Sequence, residues 1–327
     1  MHRPRWTRPH THGEENRSDA GARRAGENSL LQSLLSVITF IWISLAVFTV
    51  WFSVVLAHDF WQHRHQLEDN SWLKTGVIGF VVNFFDVLGI GAFAPQTALL
   101  KFTKQTSDKE LPGTLNVANT LPVLLQALIF ITIIEVEPVT LVAMLVSAAL
   151  GAVVGAGIVA RLSERHIRLT MGLALLVTAG FMTARSLDLI QGGGDAIGLA
   201  GAKLAVAVVA NFVLGALMTA GIGLYAPCMA LVFALGMAPT VAFPIMMGSC
   251  AFLMPPASIR FIKAGAYNRR AAVGMALPSI VAVLIAAFVV KSLPLEVLRW
   301  LVVAVILYTA VVMLRAGMVR VRASNVP

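Results

Sequence analysis

The chain has 327 residues, of which 58% are hydrophobic and 13% are charged, and its mean hydropathy is +0.82. Soluble domains carry about 25% charged residues, so this composition excludes a soluble globular fold for most of the chain. The net charge of +9 does not indicate nucleic-acid binding, because Lys and Arg stand at the ends of apolar runs, as topology signals do in membrane proteins. We therefore predict an all-α polytopic membrane protein that is embedded in the lipid bilayer and does not bind nucleic acid.

The N-terminal region differs from the rest in composition. Residues 1–28 hold six arginines among polar residues and almost no aliphatic ones, which predicts a disordered basic tail on the cytoplasmic side. The apolar run Leu34–Ala57 is longer than the apolar core of a signal peptide, about 7–15 residues. We interpret it as a retained anchor, so residues 29–74 form an extra N-terminal anchor helix and loop.

Nine apolar runs approach the length of about 20 residues that a membrane-crossing helix needs. Helices are expected because unpaired backbone groups in lipid cost several kcal/mol each. The runs are Leu34–Ala57, Thr75–Leu100, Thr114–Ile134, Val139–Ala160, Leu169–Ala184, Leu204–Leu235, Val241–Ile259, Ala271–Val290 and Pro294–Leu314.

A repeat is visible in the second and sixth of these runs. Gly89–Pro95 reads Gly-Ile-Gly-Ala-Phe-Ala-Pro, and 132 positions later Gly221–Pro227 reads Gly-Ile-Gly-Leu-Tyr-Ala-Pro. The match predicts two four-helix repeats, a first transport unit over residues 75–190 and a second over residues 191–327.

The loops of the two units carry opposite charge patterns. The loop after the first run is basic in unit one, with Lys101 and Lys104, and uncharged in unit two, whereas the loop after the second run is acidic in unit one and basic in unit two. Because cytoplasmic loops concentrate Lys and Arg, this reversal predicts an inverted repeat. Four full crossings would leave the units parallel, so a broken run must enter and leave on one face. Leu204–Leu235 is the preferred candidate, and the same behaviour of Thr75–Leu100 would instead place the N-terminal tail outside.

The two Gly-Ile-Gly-x-x-Ala-Pro stretches predict breaks in their helices. Glycine lowers helix propensity and proline removes a backbone donor. Half-helices that start after Pro95 and Pro227 would present N–H groups and a positive dipole end, which suit an anion. The alternative interpretation is a pair of packing kinks.

Polar residues near the breaks are the candidate site. Asn83 and Asp86 lie one helical turn apart on a face leading to the first break, where Asp86 is either a protonatable coupling group or a stabiliser of the kink. Phe93 and Tyr225 are candidate gates. The predicted substrate-binding residues are Asn83, Asp86, Gly89, Gly91, Phe93, Pro95, Asn116, Asn119, Thr120, Gly221, Gly223, Tyr225, Pro227, Ser249 and Cys250.

Metal and enzyme chemistry find no support in the sequence. Three histidines and three carboxylates cluster after the anchor, but their spacing matches no ligand motif, so we interpret them as a solvated loop. They are His58, Asp59, His63, His65, Glu68 and Asp69. We expect no catalytic residue, no metal and no cofactor.

The motifs resemble the TauE/SafE sulfite-exporter family of membrane permeases. The resemblance rests on Phe85–Gly91, Gly221–Pro227 and the basic-glycine connection Phe261–Tyr267, and it covers about residues 75–315. It implies export of a small anion such as sulfite or an organosulfur compound. The family's run of three glycines is replaced here by Gly-Ala-Phe at 91–93 and Gly-Leu-Tyr at 223–225, which narrows the space beside the backbone.

Three hypotheses follow for the function. The first is a secondary transporter, an exporter of a small sulfur-containing or organic anion, with proton coupling through Asp86. The second is a non-transporting scaffold or sensor that recruits a partner through its N-terminal tail. The third is a carrier of a cation or metal ion, for which Asp86 would be required for binding itself.

Overall fold

The computed structural model describes residues 12–89, 91–107, 110–159, 194–218, 223–292 and 295–318, together with residues 169, 172–173, 175–176, 179–180, 183–184 and 187. In these residues all regular secondary structure is helical, apart from one isolated bridge between Ala196 and Met237. Residues 1–43 form one compact unit and residues 44–327 form the other.

Ten helices are named here in chain order. They are α1 (His12–His63), α2 (Trp72–Val87), α3 (Phe93–Phe102), α4 (Leu111–Ile133), α5 (Pro138–Val159), α6 (Gly201–Met218), α7 (Tyr225–Ala234), α8 (Ala242–Lys263), α9 (Arg269–Ser292) and α10 (Leu295–Met318), with a 3-10 turn at Pro239–Val241. Among the described residues, five helices are long and apolar enough to cross a membrane: Val37–His63, Leu111–Ile133, Gly201–Met218, Pro239–Lys263 and Arg269–Val289. The prediction of an all-α multi-pass membrane protein is thus confirmed.

Helix α1 begins earlier than the anchor predicted from the sequence. It starts at His12, so residues 12–28, expected to be disordered, are helical here, while residues 1–11 lie outside the described part of the chain. The physical reason is that Glu, Ala and Arg residues, which dominate this stretch, favour helix. Extending an existing apolar helix also avoids the cost of a new nucleus.

Both predicted helix breaks are present. The run Thr75–Leu100 divides into α2 and α3, and the run Leu204–Leu235 divides into α6 and α7. The second half-helices begin at Phe93 and Tyr225, two residues before the prolines rather than after them as predicted. Proline is tolerated there because the first N–H groups of a helix have no intrahelical acceptor.

The helix boundaries recur along the chain at the spacing of the sequence repeat. Helices α3 and α7 are both 10 residues long and begin 132 residues apart. The pairs α2 and α6, α4 and α8, and α5 and α9 correspond closely at the same spacing. Of the fifth predicted segment, Leu169–Ala184, only scattered residues are described.

Each broken segment is a hairpin whose two ends lie side by side. At the start of α2, Asn70 Nδ2 donates to Gln105 O at 3.0 Å and the Ser71 N–H donates to Gln105 Oε1 at 2.9 Å, just beyond the end of α3. At the start of α6, Lys203 Nζ donates to Leu235 O at 3.1 Å, beyond the end of α7. We call residues 72–102 hairpin one and residues 201–234 hairpin two. In both hairpins the two ends thus lie on the same side of the protein, as expected for a segment that enters and leaves on one face.

The hairpins pack against helices of the other half of the chain. α2 lies along α9, α6 lies along α5, and α4 lies against α8. Glycines permit the closest approaches, since a Cβ at Gly79 would collide with the Met275 backbone and one at Gly215 would collide with the Ala148 backbone. Small residues at such contacts let membrane helices approach closely.

Candidate functional site

The tip of hairpin one is a glycine turn between α2 and α3. The N–H of Gly89 donates to Asp86 O at 2.8 Å, which ends α2. Gly89 and Gly91 have φ of +91° and +85°, and Ile90 between them lies outside the described residues. Residues other than glycine pay a steric cost in this left-handed region. The first predicted break therefore depends on glycine for its backbone path.

Both hairpin tips leave room beside the backbone at an equivalent glycine. No described atom lies within 4 Å of a Cβ placed at Gly91 or at Gly223, which stand 132 residues apart. Their neighbours Phe93 and Tyr225 are buried. Gly221, also predicted for the site, lies outside the described residues. Each tip thus combines a buried aromatic side chain with open space at one described glycine.

Asp86 connects the first tip to the second. Its side chain is 2% exposed, its Oδ2 accepts a hydrogen bond from Gln126 Nε2 at 2.9 Å, and its carboxylate lies near the Ala92 N–H just before α3. The Tyr225 hydroxyl, at the start of α7, donates to Gln126 Oε1 at 2.7 Å. A buried chain of hydrogen bonds therefore runs from hairpin one through α4 to hairpin two.

A second buried group of amides holds hairpin one against α4 and α9. Gln96 and Asn119 pair reciprocally, with Asn119 Nδ2 donating to Gln96 Oε1 at 2.6 Å and Gln96 Nε2 donating to Asn119 Oδ1 at 3.0 Å. Asn83 Nδ2 donates to Asn119 Oδ1 at 3.0 Å and to Ser279 Oγ at 2.9 Å. Buried polar networks of this kind rigidify a core when their members are satisfied.

One atom of this group has no partner. Asn83 is 0% exposed, and its Oδ1 accepts no hydrogen bond from the described residues. Its Nδ2 faces three acceptors, Gly79 O, Asn119 Oδ1 and Ser279 Oγ. Exchanging the amide O and N would set Oδ1 against these acceptors, so the orientation is fixed by its network. The free Oδ1 is therefore an acceptor available to a donor group.

The remaining predicted residues do not join this group. Asn116 donates to Pro112 O within its own helix at 2.8 Å, and Thr120 shares a hydrogen bond of 2.8 Å with Ser258 of α8. Asn116, Asn119 and Thr120, which were expected to form one polar face, thus each have different hydrogen-bond partners.

Unit two contributes weaker polar groups. Ser249 accepts from Asn211 at 3.1 Å, and Cys250 lies 3.5 Å from the sulfur of Met218. Met218 occupies the position equivalent to Asp86, 132 residues later. The two tips are therefore chemically unlike, because the first has a carboxylate in the last turn of α2 where the second has a thioether in the last turn of α6. Pro95 and Pro227 lie in the first turns of α3 and α7.

The sequence interpretation missed several buried polar residues. They are Gln96, Gln126, Asn211, Ser258 and Ser279. One signal was available for Gln126, which stands seven residues after Asn119 and thus on the same face of α4. A polar residue inside an apolar membrane run is itself a functional signal.

The acidic residues after the anchor have a structural role. Asp59 Oδ2 accepts from Arg269 Nε at 2.7 Å and from the Tyr267 hydroxyl at 2.6 Å. Glu68 accepts from the N–H groups of Arg269 and Arg270 at the start of α9. The expectation of a solvated loop is therefore wrong for Asp59 and Glu68, because both are held by α9, a partner distant in sequence. Within the described ranges no group of three or more His, Cys, Asp or Glu residues is arranged to hold a metal.

A polar cavity of about 390 Å³ lies at the ends of hairpin one. Lys101 and Lys104 contribute cationic groups to its wall, and Glu68, on the same wall, is already bonded to the start of α9. The complete lining is Glu68, Asp69, Asn70, Lys101, Lys104, Gln105, Thr106, Ser107 and Asn268. It offers polar and cationic contacts on the side of the protein where α2 begins and α3 ends.

Comparison with known proteins identifies one family. Residues 28–182 match the family model described as Sulfite exporter TauE/SafE. No curated protein and no solved structure matches the chain. The match includes the apolar part of α1, which the motif-based resemblance over residues 75–315 left out, and it ends before the second glycine-proline stretch. Over residues 28–182, slightly less than half of its length, the chain is similar to the TauE/SafE sulfite-exporter family.

Proposed function

We propose that the protein is a secondary transporter that exports a small anion, such as sulfite or an organosulfur or organic anion, across the cell membrane in exchange with or together with protons. The observation that carries this proposal is the pairing of the two hairpin tips through Asp86, Gln126 and Tyr225. Membrane transporters commonly bind substrate where broken helices of two units meet.

The anion would bind beside the backbone at the tips. The first N–H groups of α3 and α7 point out of the helix ends into the tips. Helix N-termini attract negative charge. Open space at Gly91 and Gly223 supports room for a ligand there. The buried flanking rings of Phe93 and Tyr225 favour a compact anion over a bulky one.

Asp86 supplies the argument for proton coupling. Its carboxylate is buried at the first tip, close to the Ala92 N–H and the start of α3, so an ionised Asp86 already places a negative charge where an anion would bind. Two like charges at one buried site repel strongly. The anion would therefore load when Asp86 is protonated and leave when Asp86 releases its proton.

An inverted arrangement of the two units is part of the proposal. Each hairpin returns to the side from which it enters and therefore adds no crossing. If the three other helices of a unit cross the membrane, the unit has an odd number of crossings, and the second unit starts on the opposite side from the first. The ends of hairpin one lie with Lys101, Lys104 and Arg269, and cytoplasmic faces concentrate such residues. We assign this side, with the cavity, to the cytoplasm.

The test is transport by the purified protein in liposomes. Efflux of sulfite, sulfonates and carboxylates would be measured under imposed pH gradients for the wild type, Asp86→Asn and the exposed control Asp69→Asn. We expect flux of at least one anion, a pH dependence that Asp86→Asn removes, and unchanged behaviour of the control. Absence of flux from folded protein for every anion would contradict the proposal.

Two arms of the same assay separate the alternatives. Deletion of residues 1–28 should leave flux intact, whereas a scaffold that acts through its tail would lose only its cellular phenotype. A carrier of cations would lose substrate binding altogether in Asp86→Asn. An anion carrier should retain binding, because the neutral amide resembles the protonated carboxyl group.

A further inference from the structure

We propose that Gln126 is a positioning residue whose side-chain amide inverts when Asp86 is protonated, and that this inversion frees the Tyr225 hydroxyl to donate to the transported anion. The inference rests on the proposed function for the identity of the ligand, but the relay itself is a property of three side chains. No sequence motif marks Gln126, which lies in the middle of α4, between the tips of the two hairpins.

The starting arrangement has one orientation. Gln126 Nε2 lies 2.9 Å from Asp86 Oδ2, and Gln126 Oε1 lies 2.7 Å from the Tyr225 hydroxyl. An ionised carboxylate accepts hydrogen bonds only, so it selects the NH2 end of the amide. The remaining amide oxygen then accepts the tyrosine proton. All three side chains are buried, with exposures of 2% for Asp86, 0% for Gln126 and 5% for Tyr225.

Protonation of Asp86 on Oδ2 reverses the donors along the chain. The new O–H group and the Gln126 NH2 group would face one another as two donors, an arrangement that costs a buried hydrogen bond. Inversion of the amide restores the bond, because Oε1 then accepts from Asp86. Nε2 now donates to the oxygen of Tyr225. The tyrosine proton consequently loses its acceptor and needs another.

The open space of the second tip lies close to the start of α7. Gly223, two residues before Tyr225, has no described atom within 4 Å of a Cβ position. A hydroxyl donor beside a helix N-terminus would add a directional hydrogen bond to the anion. Protonation at the first tip would thereby prepare an anion contact at the second tip.

The groups around Asp86 make it the point where this relay begins. Among the described residues, the ionisable side chains that interact electrostatically with Asp86 are Tyr225 of α7 and Cys250 of α8, and both are buried and neutral. The groups that α3, α4 and α9 place near this part of hairpin one are the neutral side chains of Gln96, Gln126, Asn119 and Ser279. No other described carboxylate belongs to this network.

Infrared difference spectroscopy of the protein in liposomes tests the relay without any substrate. Spectra would be recorded during a pH titration over the range in which the protein stays folded. In the wild type, the carboxylic acid band that Asp86→Asn removes should appear together with a change in a tyrosine C–O band. The chain has three tyrosines, and Tyr225→Phe assigns the band by removing it while the carboxyl band remains.

The decisive variant is Gln126→Met, which keeps the length of the side chain and removes its amide. Both Asp86 and Tyr225 remain, so the carboxyl band should persist and the coupled tyrosine change should disappear. Persistence of the tyrosine change in Gln126→Met would overturn the relay, as would a wild type in which Asp86 titrates without any tyrosine signal or does not titrate at all. If Gln126→Met does not fold, the ¹³C=O-labelled glutamine band decides, since inversion must shift it in the wild type and not in Asp86→Asn.

Transport then separates this inference from the proposed function. Tyr225→Phe should raise the KM for the anion several-fold with little change in kcat, as expected for loss of one hydrogen bond to a bound ion. If the infrared bands are coupled but no anion is transported, the relay is supported and the proposed function is contradicted. Transport with an unchanged KM in Tyr225→Phe would remove the role of Tyr225 in anion binding.

Discussion

Lys104 and Gly236 adopt the same left-handed backbone conformation at equivalent positions of the two hairpins, with φ of 55° and 90°. Each residue ends its half-helix in the same way, because the next N–H reaches back to a carbonyl five residues earlier: Gln105 to Leu100 at 2.9 Å and Met237 to Val232 at 3.2 Å. Glycine is the usual residue in this helix end. Hairpin one therefore carries a strained lysine where hairpin two has an unstrained glycine.

Replacing Lys104 by Gly should stabilise the protein. A left-handed conformation costs a residue with a Cβ roughly 1–2 kcal/mol, and the extra freedom of glycine in the unfolded chain offsets part of the gain. We expect a net increase of about 0.5–1 kcal/mol in the free energy of unfolding, measured by thermal unfolding in detergent. Lys104→Ala removes the same charge but keeps the strain, so an equal gain in that control would contradict the explanation.

Substitution by alanine should destabilise the protein at Gly215 but not at Gly223. A Cβ at Gly215 in α6 would collide with the backbone of Ala148 in α5, whereas a Cβ at Gly223 has no described atom within 4 Å. Gly215→Ala should therefore force the helices apart and cost about 1–3 kcal/mol. Gly223→Ala should leave the unfolding temperature nearly unchanged while lowering anion flux. Equal destabilisation by both would show that the tip is not open.

The breaks were predictable because their causes are local. Glycine and proline act on the backbone where they stand, so Gly89–Pro95 and Gly221–Pro227 mark the hairpin tips in the sequence itself. The division of each long run into two half-helices follows from these stretches. Asn83, Asp86 and Tyr225, which were predicted from their spacing to the stretches, lie near the tips. Helices α3 and α7 begin three residues earlier than predicted, since proline fits within a first helical turn as well as before it.

The partners of the site residues were not predictable, because they come from helices distant in sequence. Gln126 reaches Asp86 across 40 positions and Tyr225 across 99. Asp59 in the apparently solvated loop finds Arg269 across 210 positions. Spacing along one helix predicts which residues share a face, but it does not predict which other helix packs on that face.

Asn119 should be energetically coupled to Gln96. Each single substitution, Asn119→Leu or Gln96→Leu, leaves the other amide buried without its partner, at a cost of about 1–3 kcal/mol. The double variant removes both polar groups and should cost less than the sum of the single variants. A double-mutant cycle of unfolding free energies measures this coupling. Thr120→Val, which removes the hydrogen bond to Ser258, is the control and should be additive with Gln96→Leu.

The ion pair between Asp59 and Arg269 should stabilise the junction of α1 and α9. Their side chains are only 13% and 16% exposed, and Arg269 Nε lies 2.7 Å from Asp59 Oδ2. Asp59→Asn leaves the guanidinium without a charged partner and should cost about 2 kcal/mol. Arg269→Lys should also destabilise, since lysine cannot make the two-pronged contact. The exposed neighbour Asp69→Asn is the control, and a similar loss there would contradict a specific role for the pair.

Glu137 should make stability depend on pH at the start of α5. Its carboxylate accepts from the N–H of Val139 at 2.9 Å, the N–H of Thr140 at 2.7 Å and the Thr140 hydroxyl at 2.6 Å. Burial alone would raise the pKa of Glu137, but these three hydrogen bonds to the charged form outweigh burial and lower it. The carboxylate thus holds the first turn of α5 in the manner of a helix cap.

The sign of this dependence follows from the lowered pKa. A group whose pKa is lower in the folded state stabilises the protein fully above the unfolded pKa, about 4.3 for glutamate. That stabilisation is lost as the pH falls through the folded pKa. Glu137→Gln should therefore cost about 1 kcal/mol at neutral pH, and the gap to the wild type should close on acidification. Unfolding temperatures of both proteins at a series of pH values measure the gap, with Glu135→Gln as the control. A gap that stays constant as the pH falls would mean that the charge of Glu137 does not stabilise the helix.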